Sequence, residues 1–192
     1  PLVIIRGYAP LLLENPAELS SFQQQMIGAI DKNSIQLLSL VEKLLSFATM
    51  ESETLELARR PHRPVQLLED ALKEINYLIK AHNVSVERDP SLESLPWIHV
   101  DGEKIKEALR NLIENAIKFN EPGGEVVIRA RLDESSFLVS VTNARGEIPA
   151  ERIPHLLEPF TQGDMSASRA ASGLGLGLAV ARLIADAHGG RM

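Results

Sequence analysis

Cysteine is missing altogether from this 192-residue sequence. Disulfides, zinc–thiolate sites and thiol catalysis are therefore excluded, and the absence fits a reducing compartment. Positive charge is also scarce. The 20 Lys and Arg against 26 Asp and Glu leave a formal charge of −6, and no Lys/Arg run occurs. Binding a nucleic-acid backbone needs a positive patch, so no nucleic-acid partner is expected. Arg59, Arg60 and Arg63 are broken up by Pro61 and Pro64 and read as a solvated linker. No stretch reaches the roughly 18 apolar residues that a membrane helix needs. The first residues lack the basic region and cleavage pattern of a secretory signal. A cytoplasmic segment without direct membrane contact is expected, and the start at Pro1 is expected of a fragment or processed chain. What remains is a soluble globular composition, 44% AVILMFWYC and 24% charged, with a length suited to one or two domains.

The first 52 residues carry helical periodicity. Leu2, Ile5, Ala9 and Leu12 recur at the spacing of a helix seam. Asn15-Pro16 is expected to stop that helix, because proline disfavours helical backbone in the residue before it. A second helix is expected from about Ala17 to Met50, with Ile30, Leu37 and Leu44, and also Val41 and Ala48, each seven residues apart. Two such helices joined by a short turn form a hairpin. Its apolar surface exceeds what one hairpin covers, so it is expected to pair with a second copy as a four-helix bundle. The alternative is that the stripe packs against the rest of the same chain.

Residues 51–64 are rich in charge and proline and read as a hinge, with a short strand at Thr54–Leu57. Beyond it the pattern becomes mixed. Val65–Ala81 reads as one helix and Asn83–Arg88 as a strand. Asp101 caps a helix running to about Phe119. Pro122-Gly123-Gly124 turns into a hairpin whose strands bury Val126, Ile128 and Ala130, and Phe137, Val139 and Val141. Residues 161–172 are small and polar and are expected to form a mobile loop. A last helix from about Leu176 to His188 ends at Gly189-Gly190. The boundaries are two domains, 1–52 and 53–192.

Four segments carry candidate chemistry. On the helix over 101–119, Asn111, Asn115 and Lys118 share a face distinct from the apolar stripe of Ile105, Leu109, Leu112 and Ala116. Asparagine is a poor interior helix residue because its amide competes for backbone hydrogen bonds. An amide oxygen suits Mg²⁺ and a lysine suits phosphate, although the same spacing also fits a plain polar stripe. The second segment is Gly173-Leu174-Gly175-Leu176-Gly177-Leu178, which opens the last helix. Glycines let backbone approach a phosphate, and helix starts attract anions. It is not a P-loop, because no Gly-Lys-Ser/Thr comes after it. The third is Val141–Pro149, containing Asn143, just after a strand. The fourth is Leu157–Gln162, containing Phe160, and by itself Phe160 reads as a packing residue.

Taken in order, these segments resemble the catalytic core of sensor histidine kinases, within the GHKL ATPase superfamily. Asn111–Asn120 resembles the N box, Asn143–Pro149 a degenerate G1 box, Leu157–Gln162 the F box and Gly173–Leu178 the G2 box. Pro1–Tyr8 resembles the stretch of the H box just after the phosphoacceptor histidine. The resemblance implies an α+β fold: a helical hairpin forming a dimeric four-helix bundle, followed by an α/β sandwich of the GHKL or Bergerat type. It implies Mg²⁺ and ATP as cofactors. Asn115 would ligate the metal, and Asn111 and Lys118 would contact phosphates as catalytic residues. Asn143, Phe160, Arg169, Ser172, Gly173, Leu174, Gly175, Leu176 and Gly177 would complete the nucleotide site, with residues 161–172 as its lid. The implied partners are a second copy through residues 1–52 and a response regulator receiver domain, with Tyr8, Leu11 and Leu12 as docking candidates.

The pattern departs from the family in three places. The phosphoacceptor histidine would lie five residues before Pro1, and His62, His82, His99, His155 and His188 read as structural or surface residues. Asn143 stands where the family has an aspartate for the adenine amino group, and Arg145 and Glu147 replace glycines. The chain stops at Met192, where the family continues into a closing strand or two. Three functions are compatible with this pattern: an active kinase core, a nucleotide-poor pseudokinase that binds partners, and a GHKL enzyme that hydrolyses ATP. The last would need a glutamate where Asn111 stands.

Overall fold

Ser20 starts the longest helix of the protein by a reciprocal cap. Its hydroxyl accepts from the backbone N–H of Gln23, and the Gln23 side-chain oxygen accepts from the Ser20 N–H at 2.9 Å. This Ser-x-x-Gln box satisfies two otherwise orphaned donors, so helix α2 spans Ser21–Ser52 rather than beginning at Ala17. Before it, α1 spans Leu2–Leu13 and carries Pro10 inside it. The computed structural model describes residues 2–15, 19–52, 56–133, 136–144, 148–161 and 174–192. It divides into two units, residues 1–49 and 50–192.

In the first unit the expected seam is bare. Ile30 and Leu37 are each 49% exposed, and Val41 and Leu44 are similarly open. On α1, Ala9 is buried, whereas Tyr8, Leu11 and Leu12 are exposed.

The second unit is a mixed α/β layer. Strand β1 (Arg60–His62) pairs antiparallel with β3 (Ile98–Val100). The main sheet runs in the order β2 (Ser85–Arg88), β4 (Glu125–Asp133), β5 (Ser136–Asn143). Within it β2 is parallel to β4, and β4 is antiparallel to β5. Burial alternates along β4, where Val126, Ile128 and Ala130 turn inward while Arg129 and Arg131 stay exposed, the period-two signature of a sheet covered on one face. That face packs with α3 (Pro64–Glu74) and α5 (Gly102–Lys118) around Leu68, Ile75, Ile113, Ile117 and Ile128. Helix α7 (Gly177–Ala187) lies against α5.

Several boundaries differ from expectation, each for a local reason. The helix expected over Val65–Ala81 is two helices, α3 and α4 (Asn76–His82), broken at Ile75. Ile75 leaves helical geometry at φ −105°, ψ 9° and is only 1% exposed, so its burial outweighs continuity of the ladder. Asn83 belongs to the end of α4 rather than to a strand: at φ 52° it is the left-handed cap, a role asparagine tolerates well. The expected strand at Thr54–Leu57 falls partly outside the described residues, and the strand lies instead at Arg60–His62. The arginines around it are not a free linker. Arg59 donates to the Ala187 carbonyl at 3.3 Å and Arg63 to that of Glu93 at 3.2 Å. The remaining short elements are a 3-10 turn at Pro90–Ser94, another at Ala150–Arg152, and α6 (Ile153–Leu156).

Candidate functional site

Helix α5 is the frame of the candidate site. Its start is fixed by Asp101, whose carboxylate accepts from the N–H groups of Lys104 (3.1 Å) and Ala58 (3.0 Å). Burial pushes this carboxyl up, but those N–H groups outweigh burial and hold it below its ordinary range. The Asp101 N–H itself donates to His188 Nε2 at 3.1 Å. Nε2 therefore accepts, leaving Nδ1 to donate to the Ile184 carbonyl at 2.8 Å. His188 is thus a structural residue tying the end of α7 to the start of α5.

The three candidate residues of α5 have different surroundings. Asn111 is 7% exposed, and its amide donates to the Glu107 carbonyl at 2.9 Å. It lies beneath the start of α7: a Cβ added to Gly177 would sit 3.4 Å from Asn111 Oδ1. A side chain longer than a methyl would push the helices apart. Asn115, one turn on, is half-buried, and its side-chain amide has no hydrogen-bond partner among the described residues. The Lys118 ammonium stands 5.0 Å from the centroid of the Phe119 ring, a cation–π distance.

The start of α7 is chemically open. Its cap residue is Leu176, which is 2% exposed and has no side-chain oxygen for the first-turn N–H groups. Gly175, just before it, holds φ +67°, and a Cβ there would collide with the Thr161 carbonyl oxygen and lie 3.0 Å from the Phe160 carbonyl carbon. The two segments therefore pass backbone against backbone, with no room for a side chain at Gly175. Phe160 itself is 55% exposed with φ 64°, so it is not the packing residue that its apolar character suggests. Leu174 is half-buried. Arg169, Ser172 and Gly173 lie outside the described residues, as do Arg145 and Glu147 of the segment after Asn143.

Asn143 ends β5 beside the last turn of α5, and its Nδ2 donates to the Phe119 carbonyl at 3.2 Å. Below it sits a residue to which sequence reasoning assigns no role of its own. Asn120 is 7% exposed. Its Oδ1 accepts from the N–H groups of Glu121 (2.9 Å) and Ala144 (3.3 Å), and its Nδ2 donates to the Glu125 carbonyl at 2.9 Å. An asparagine directly after a helix end and ahead of Pro-Gly-Gly was the available signal. The long-range bond to Ala144 is not visible in a sequence. Among the described residues no group of three His, Cys, Asp or Glu side chains could hold a metal by itself, and no helix is long and apolar enough to cross a membrane.

An open helix start packed beside an asparagine-bearing helix, on one side of a mixed sheet, is the arrangement of a GHKL-type ATPase domain. Residues 100–192 match the family described as histidine kinase-, DNA gyrase B- and HSP90-like ATPases, and residues 1–53 match the His Kinase A (phospho-acceptor) domain. Together these two domains define the class, a protein histidine kinase core. The curated relatives that the chain resembles over nearly its whole length are sensor histidine kinases. It is 32% identical to sensor histidine kinase YkoH of Bacillus subtilis over 98% of its length, and spans 40% of that protein. It is 31% identical to the circadian input-output histidine kinase CikA of Thermosynechococcus vestitus over 99% of its length, spanning 26% of it. Full-length ShkA in complex with AMPPNP superposes with a TM-score of 0.80 at 25% identity, over 98% of this chain and 38% of ShkA. The chain thus spans less than half the length of these relatives.

Proposed function

We propose that this chain binds Mg-ATP along α5 and serves transfer of the γ-phosphoryl group to a histidine preceding Pro1, and from there to a response regulator. The observation that carries the reading is the contact between Gly177 and Asn111. It brings uncapped N–H groups of α7 beside a helix whose next turn offers the unpaired amide of Asn115. From Asn111 to Phe119 the helix rises about 12 Å, a span suited to a nucleotide lying from its phosphates to its base. ShkA holds AMPPNP, and ThkA, which superposes with a TM-score of 0.66 at 22% identity, is seen in complex with the response regulator TrrA.

The residues fit the proposed cofactor. Mg²⁺ takes hard oxygen ligands and keeps several waters, so one amide oxygen from Asn115 plus phosphate oxygens is an adequate donor set. When bound, the metal would neutralise phosphate charge. The protein's own part is positioning and electrostatics, the main demands of phosphoryl transfer. The α7 start orients phosphate through backbone N–H groups. Lys118 supplies a cation at the edge of the path. Buried Asn111 acts through packing, setting how closely α7 approaches. The bond from the γ-phosphorus to its bridging oxygen breaks as a bond to an imidazole nitrogen forms, and ADP departs. Residues 1–52 would supply the dimer and the regulator-docking surface, and 53–192 the nucleotide-binding domain.

Calorimetric titration with Mg-ATP tests the reading. The wild type binds with micromolar to submillimolar affinity, and Asn115→Ala weakens Mg-ATP binding by at least about tenfold, a loss of about 1.4 kcal/mol. Absence of binding at millimolar nucleotide by a chain extended at both ends would favour a partner-binding pseudokinase instead.

A further inference from the structure

The arginines around β1 have no part in the nucleotide site. On α3, α5 and α7, Lys73, Lys106, Arg110 and Arg182 lie 3.0–3.6 Å from carboxylates of the same unit. Arg59, Arg60 and Arg63 make no ion pair among the described residues, although the chain as a whole carries a charge of −6. Two of them are tethered all the same, Arg59 to the Ala187 carbonyl and Arg63 to that of Glu93. A carbonyl holds a guanidinium in place without neutralising it, so these charges are positioned in advance and their remaining N–H groups stay available. Beside them is an exposed aromatic. Pro61 and His99 are cross-strand partners in the β1–β3 ribbon and so share a face. Arg63 and Trp97 come two residues along their strands, on that same face. All four are exposed, Trp97 at 66%, while Ile98 on the opposite face is buried in the core. Tryptophan and arginine are the residue types most enriched where binding energy concentrates in protein interfaces.

We propose that this ribbon face docks a short acidic segment of a partner protein, with carboxylates on Arg60 and Arg63 and an apolar side chain against Trp97. Charge complementarity selects the occupant. Three arginines without carboxylate partners form a local positive field on an acidic chain, and guanidinium matches carboxylate with two parallel hydrogen bonds. Size selects a segment over a surface. From residue 59 to residue 63 an extended chain covers about 13 Å, the reach of about four residues of partner chain. A long polyanion or an anionic membrane would extend past this patch and meet the net negative charge of the rest of the molecule. The face is also remote from the candidate nucleotide site: from the α5 cap, just after β3, to Asn115 the helix rises about 21 Å. The proposal therefore does not depend on nucleotide binding.

Trp97 is the single tryptophan of the chain, so its fluorescence reports on this face directly. The probe is the capped pentapeptide Glu-Ser-Leu-Ser-Glu, which in extended form sets two carboxylates and one leucine on one side. It is titrated into the full chain beside its lysine counterpart Lys-Ser-Leu-Ser-Lys, heparin, and vesicles of phosphatidylserine with phosphatidylcholine. The acidic peptide shifts Trp97 emission to the blue with a dissociation constant below about 1 mM. Raising salt from about 50 mM to about 300 mM weakens it by at least about threefold, because the charges are exposed. Arg60→Gln with Arg63→Gln weakens it by at least about fivefold, and Arg60→Lys with Arg63→Lys keeps most of the affinity. Both double variants keep the wild-type melting temperature and affinity for Mg-ATP. Absence of a shift at millimolar acidic peptide, an equal response to the lysine peptide, or wild-type binding by the folded glutamine variant overturns the proposal. A stronger response to heparin or to the vesicles at equal anionic charge also overturns it, in favour of a polyanion or a membrane surface.

Discussion

Gly175 occupies a left-handed conformation against the backbone of Phe160 and Thr161. Any L side chain there is strained twice, by φ of +67° and by the Thr161 carbonyl. Gly175→Ala is therefore expected to destabilise the protein by at least about 2 kcal/mol, combining the left-handed penalty with displacement of the neighbouring chain. Urea unfolding measures this, and a loss below about 0.5 kcal/mol would contradict the account of the turn. Residue types were readable in the sequence because glycines and interior asparagines are conspicuous. Their states were not. Nothing in the spacing of Asn111 and Asn115 separates a buried amide from a half-buried one, because the cover on Asn111 comes from the start of α7, more than fifty residues away.

At the scale of elements, the start of α5 joins three parts of the second unit through Asp101. Its carboxylate binds Lys104 and Ala58, and its N–H binds His188. The folded carboxyl titrates below its ordinary value. The stabilisation is therefore fully present above the unfolded pKa of about 3.9 and is lost as pH falls through the lower folded value. Denaturation measured from pH 6 to pH 3 should show stability falling at the acid end. Asp101→Asn should flatten that fall; its single amide oxygen can keep the cap to Lys104 but not also the Ala58 bond, so the variant loses about 1–2 kcal/mol at neutral pH. An equally steep acid fall in the variant would remove Asp101 from the explanation. The α5 cap, the β4–β5 hairpin and α7 were legible because each has a strong local signal. The break at Ile75 was not, since no glycine or proline marks it and only the core behind Ile75 gives the reason. The 60–62 strand was hidden for a similar cause, its pairing with 98–100 being non-local.

At the scale of the whole molecule, the exposed heptad seam of α2 bears on assembly. Ile30, Leu37 and Leu44 remain 42–49% exposed in a single chain. Contiguous apolar stripes of this kind mark interaction surfaces, and with the His Kinase A match over residues 1–53 they support a four-helix bundle formed by two copies. Sedimentation velocity should find a dimer at micromolar concentration, and Leu37→Glu with Leu44→Glu should shift it to monomer. A wild type that is monomeric throughout would contradict this assembly. The central claim is that Asn115 and the first turn of α7 jointly hold a metal-bound triphosphate. Nuclear magnetic resonance with Mn²⁺ replacing Mg²⁺ tests it most directly, because the paramagnetic ion broadens signals close to it. On adding Mn-ATP, the Asn115 side-chain amide and the backbone N–H groups of residues 177–179 should broaden first, while those of β1 stay sharp. Sharp Asn115 and α7 signals under saturating Mn-ATP, with broadening elsewhere, would contradict it.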